Sequence, residues 1–178
     1  MPIESTNVPN EKASFMAASS GLVPAASATD IFSITGKTGK AIRINQIQIS
    51  GIATAAAAVP ISIVKRSTAN TGGTSTSVPA VNLDTANSGA AAGATVLAYT
   101  ANPAGLGTSA GNIATARMIL STASASVGTA PIAFAFERMY MKLPTLRDAT
   151  ESLCVNYGGV TAAGNSVDIS ISWTEEAQ

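Results

Sequence analysis

Large apolar residues recur at every second position over much of this chain, and nowhere at a sustained helical spacing. Val167, Ile169, Ile171 and Trp173 alternate with Asp168, Ser170, Ser172 and Thr174, the pattern of a strand with one face in a core. Ile132, Phe134 and Phe136 alternate with Ala133 and Ala135. Leu153, Val155 and Tyr157 repeat the spacing as far as Gly158-Gly159. Further strands are predicted around Phe32 and Ile34, over 59–66 with Ile61 and Ile63 in phase, over 95–100 and over 114–122. In 41–50, Ile42 and Ile44 share one phase and Ile47 and Ile49 the other, with the slip at Asn45-Gln46. A one-residue slip exchanges the faces, so a bulge or a bend is expected there.

Turn and loop signals separate these runs. Gly36-Lys-Thr-Gly39 reads as a hairpin turn, 67–77 and 86–93 as loops, and 104–111, with three glycines, as irregular. Pro79 confines 78–83 to an edge. The strand pattern continues over 138–143 after a bend, and Pro144 to Thr150 reads as a turn. Ala53 to Ala58 has helix-forming residues, but it is short and Pro60 follows. About eight strands joined by such loops predict an all-β fold, an antiparallel β-sandwich of the jelly-roll kind. Residues 1–28, punctuated by Pro2, Pro9 and Pro24, read as an extended N-terminal arm, and 29–178 as the sandwich domain.

Composition narrows the functions open to such a fold. Ala, Ser, Thr and Gly fill half of the chain, and histidine is absent. Ten basic residues balance ten acidic ones, and between Arg66 and Arg117 the only charge is Asp84. No nucleic acid is expected as a partner, because tracking phosphates needs a clustered positive excess. No membrane is expected either, since no run approaches the ~18 apolar residues of a span. Met1-Pro-Ile-Glu-Ser-Thr has no basic start followed by an apolar stretch, so synthesis in a cytoplasm is expected. So few charges suit a surface covered in an assembly.

Candidate chemistry is sparse. Cys154 sits in strand alternation with no basic residue within six positions, whereas a thiolate nucleophile needs such a neighbour. One cysteine and no histidine remove the usual zinc ligands and the Ser-His-Asp triad. Lys37, Lys40 and Lys65 lie near hydroxyl residues, but at turns and strand ends where solvated lysines are routine. Paired carboxylates would have to come from Glu137, Asp148, Glu151 or Glu175-Glu176. Glu175-Glu176 reads as a solvated tail, and Glu137-Arg138 as an edge ion pair. Gly36-Lys-Thr-Gly39-Lys40 lacks the four-residue spacing of a phosphate loop. Asp84-Thr-Ala-Asn-Ser88 has one carboxylate, too few for calcium. Phe134, Phe136 and Trp173 are assigned to the core, leaving Tyr99, Tyr140 and Tyr157 as the aromatics for a glycan face. The expectation is no enzyme, no catalytic residue, no cofactor and no metal.

Three segments carry a family resemblance: Ile63-Val-Lys-Arg-Ser-Thr-Ala-Asn-Thr-Gly-Gly-Thr-Ser75, Leu97-Ala-Tyr-Thr-Ala-Asn-Pro-Ala-Gly-Leu-Gly107, and Trp173-Thr-Glu-Glu176. From about Asp30 to the C-terminus the chain resembles small virion structural proteins of tailed bacteriophages, of the capsid decoration (cement) type. The resemblance implies a β-sandwich subunit present in many copies. It implies a homotrimer bound to the major capsid protein on the capsid surface of the virion. The alternative it leaves is a tail or fibre component that contacts the host, with a glycan as ligand. It brings no catalytic residue.

Overall fold

The computed structural model describes residues 12–25, 27–84, 91–122, 130–137, 142–159 and 164–178. Among these residues twelve strands follow in chain order: β1 (Ala13–Leu22), β2 (Thr29–Thr35), β3 (Lys40–Ala53), β4 (Ala57–Arg66), β5 (Thr74–Ser77), β6 (Val81–Asn82), β7 (Thr95–Ala101), β8 (Ser109–Thr122), β9 (Ile132–Ala135), β10 (Thr145–Leu146), β11 (Ser152–Tyr157) and β12 (Ser166–Ala177). No helix occurs among the described residues. The all-β expectation therefore holds.

The strands join into one strongly curled sheet in the order β5-β7-β2-β11-β4-β8-β3-β12-β1-β6, with β9 and β10 also paired to β3. The sheet is mixed, which corrects the antiparallel expectation. β8 runs antiparallel to β4 over most of its length, then meets β3 in parallel at Ile52↔Ser121 and Ala53↔Thr122. The reason is local. Residues 54–56 reverse the chain between β3 and β4, so a strand antiparallel to β4 reaches β3 running the same way.

Inward residues of both halves of the curl share one hydrophobic cluster, including Phe15, Phe32, Ile34, Ile44, Ile47, Ile61, Ile63, Leu120, Tyr157 and Trp173. Phe15 and Trp173 stack with centroids 5.7 Å apart. Burying each aliphatic side chain of this set contributes roughly 1.5–3 kcal/mol. The expected bulge is present. Ser172 pairs with Gln46 and Trp173 with Ile44, so Asn45 is skipped. The extra residue lets Ile42 and Ile44 point inward before it and Ile47 and Ile49 after it.

Other expectations change. Ala13–Leu22, placed in the arm, is a strand between β12 and β6, with Phe15, Ala17 and Leu22 buried. Its signal is weak in sequence because its inward side chains include alanine. The rest of the arm up to residue 11 lies outside the described residues, as do 85–90, which cover most of the 86–93 loop, and 138–141 with Tyr140. The turn at 36–39 forms, with the Lys40 amide donating to the Lys37 carbonyl, but it makes no hairpin. β2 lies between β7 and β11, and β3 between β8 and β12, so the turn carries the chain from one half of the curl to the other. Two predicted loops contain strand: 74–77 pairs with β7, and β8 begins at Ser109.

Candidate functional site

Among the described residues two carboxylates are taken out of water, and both are saturated with donors. Asp30 is 0% exposed and Arg66 5%. The Arg66 guanidinium donates through Nε and Nη2 to the two Asp30 oxygens at 2.6 and 2.8 Å. Asn70 and Asn156 each donate to Asp30 at 2.8 Å. Arg66 Nη1 donates to the Gly107 carbonyl, and the Gly107 amide donates to Asn70 Oδ1. Burial alone would raise the Asp30 carboxyl; Arg66, Asn156 and Asn70 outweigh it and hold it below the ordinary value. The bond from Asp30 pushes Arg66 upward, against its own burial. With every acceptor position engaged, Asp30 has no capacity to move a proton.

Glu175 is the second. Expected as solvated tail, it is 4% exposed because β12 runs on past Trp173, flanked by β1 as far as Glu175 and by β3 as far as Ala177. It accepts from Lys40 Nζ at 2.8 Å, from the Gly93 and Ala94 amides and from Trp173 Nε1. These donors overcome burial and lower its pKa. Glu176 beside it pairs with Arg43 and Lys12, and both cations lower it. Glu175 pins the end of the loop before β7 onto the sheet.

The remaining sequence candidates are dispersed. Cys154 is fully buried on β11, 3.6 Å from Ser152 Oγ and 3.9 Å from Asn70 Nδ2. Burial and the Asp30 charge push its thiol up to about 12, far from a nucleophile's range. Lys40 holds Glu175, Lys65 holds Glu151 at 3.2 Å and the Thr145 carbonyl, and Lys37 is exposed in its turn. Asp148 accepts from Thr38 Oγ1, and Glu151 from the Arg147 amide. Glu137 is exposed beyond β9, and Arg138 lies outside the described residues. The Asp84 amide donates to Asn82 Oδ1. Among the described residues no group of three metal-ligating side chains forms. Tyr99 and Tyr157 are buried, while Phe134 and Phe136, assigned to the core, are half-buried at its margin. β9 is a short edge strand, so its aromatics are covered on one side only.

The sheet's outer face over β1, β12, β3 and β9 is organised in a different way. Cross-strand pairing aligns Val81, Met16, Ser172, Gln46 and Ala135 in one row, and Ala18, Ser170, Gln48 and Ala133 in the next. At the strand spacing the first row spans about 19 Å. Neither row carries a charge, and none of these side chains is buried. Asp168, bonded to the Gly21 amide, stands at one end of the face, and Arg43, Glu176 and Lys12 at the other. Hydroxyl, amide and aliphatic side chains, with the Met16 thioether, make up these rows on adjacent strands. A partner can cover them without stripping water from an ion. Sequence alternation exposes the outward residues of each strand; only register shows that they align.

Compared with known protein families, curated proteins and solved structures, the chain matches none.

Proposed function

We propose that this chain is a structural subunit of a bacteriophage virion, a capsid decoration protein that binds the outside of the head and stabilises it. In this reading the two halves of the curled sheet act as the layers of a jelly-roll-like sandwich. The protein acts as a homotrimer on the major capsid protein, and it is no enzyme. The observation that carries the reading is the pair of uncharged rows on the outer face of β1, β12, β3 and β9, which a repeated neighbour can cover without burying an ion. The resemblance of 63–75, 97–107 and 173–176 to small phage virion proteins supplies the kind of lattice.

Locating and counting the chain on purified particles tests it. Decoration requires on the order of hundreds of copies arranged with the shell symmetry. A handful of copies at the tail would replace this reading with the tail or fibre one. Absence from particles would end both.

A further inference from the structure

β8 and β9 both lie along the same edge of β3, and they part from one another. β8 runs with β4 and pairs with β3 only at its end, at Ser121 and Thr122, while β9 stays on β3 from Ile49 to Gln46. Among the described residues neither strand has a partner on its other side over Ser109–Leu120 or Ile132–Ala135. The Phe136 amide donates to the Asn45 carbonyl. By the alternation of an antiparallel ladder, the amides and carbonyls of Ala133 and Ala135 therefore point away from β3. Between the two strands lies a groove of about 410 Å³ walled by Ile113, Phe134, Phe136, Pro144 and Lys142. Ile113 is 40% exposed, and both phenylalanines are half-buried.

The groove changes character at one end. Lys142 and Pro144 also line a second cavity, of about 510 Å³, with Arg43, Lys65, Arg147 and Glu151. Arg43 is balanced by Glu176 and Lys65 by Glu151. Lys142 and Arg147 have no carboxylate partner among the described residues, so this end is net positive.

From these features we infer that the groove between β8 and β9 docks an extended acidic segment of a partner protein. The segment adds as a strand on Ala133 and Ala135, sets alternate apolar side chains on Phe134, Phe136 and Ile113, and places carboxylates at Lys142 and Arg147. The free edge selects an extended backbone. The wall selects apolar residues at every second position, and the two unbalanced cations select the charge. This inference stands apart from the contact-face reading: shell occupancy tests that one, and a soluble peptide tests this one.

The probe is acetyl-Thr-Val-Thr-Val-Asp-Glu-Asp-amide, titrated into the full isotope-labelled chain and followed by amide NMR shifts. Shifts should concentrate at Ala133, Ala135, Phe134, Phe136, Ile113 and Lys142. Lys142→Glu with Arg147→Glu, both exposed positions, should weaken binding about tenfold or more, as loss of two complementary charges does. The same double variant should bind acetyl-Thr-Val-Thr-Val-Lys-Lys-Lys-amide better than the native chain does. No shifts at these amides with about 1 mM peptide, the weak end of specific affinities, would overturn the inference. So would equal binding of the lysine peptide by the native chain. Protection of these amides in the free protein that vanishes on dilution would assign the groove to a second copy. Protection that vanishes when residues 1–11 are removed would assign it to the chain's own N-terminus. Either result overturns docking of a partner segment.

Discussion

On one side of the curl, β2, β11 and β4 turn Ser33, Cys154, Val64 and Arg66 away from the main core, yet all four are buried. The segments 67–73 and 102–108 lie over them, joined by Thr71↔Gly105, by the Ser67 amide to the Thr108 carbonyl, and by Asn70 to Gly107. On the other side, β1, β12 and β3 turn Met16, Ala18, Ser170, Ser172, Gln46 and Gln48 outward, and none is buried. The covered face needs an internal ion pair with every hydrogen bond made, because a charge under a loop has no water to fall back on. The bare face needs only uncharged side chains that tolerate both water and a partner. Asp30, Arg66, Lys40 and Glu175 thus fasten loops, and the two outward rows carry no charge.

That contrast predicts where substitutions hurt. The largest effect is expected from Asp30→Ala, which strands a buried guanidinium and should cost about 3–5 kcal/mol in urea unfolding. Adding Arg66→Met should recover part of the loss. If Asp30→Ala unfolds at the native midpoint, the covered face is not held by its ion pair. Next comes Gly107→Ala. A Cβ there would collide with the Thr68 carbonyl group, and forced repacking of this kind costs about 1–3 kcal/mol. The same alanine at Gly111, where a Cβ meets nothing but φ is +130°, separates collision from backbone strain.

Acid should act on the fastenings and spare the bare face. Asp30 and Glu175 have folded pKa values below their ordinary 3.8 and 4.5. A depressed carboxylate adds stability that is complete above its unfolded value and lost as pH falls through its folded one. The unfolding midpoint should therefore be level from pH 7 to about pH 5 and fall progressively below about pH 4. Glu175→Gln should shrink that fall, and an unchanged profile would show that Glu175 does not contribute to it. The smallest effect on stability is expected from Gln48→Lys with Ala18→Lys on the bare face, which are not direct cross-strand partners, within about 0.5 kcal/mol. Under the decoration reading the same pair should cut shell occupancy at least about tenfold, since buried unpaired charge is costly. Full occupancy would remove this face from the contact.

Much of the fold was legible because strand alternation is a local record of which side is wet. β12, β11 and the two phases of β3 could be read residue by residue, and the slip at Asn45 marked its own bulge. β1 escaped because Ala13, Ala17 and Ala18 make a faint pattern, and prolines nearby suggested an arm. Half-burial of Phe134 and Phe136 escaped as well, since alternation cannot say that β9 is an edge. Glu175 looked like tail because the end of β12 has no large apolar residue after Trp173.

The sequence by itself determined an all-β chain with an aliphatic core and few charges, because period-two burial and composition depend only on neighbours along the chain. The tertiary structure alone decided that Asp30 meets Arg66, Asn70 and Asn156, that β8 touches β3 in parallel, and that Met16, Ser172, Gln46 and Ala135 form one row. Those relations join residues tens of positions apart, and strand register, which no local pattern encodes, brings them together.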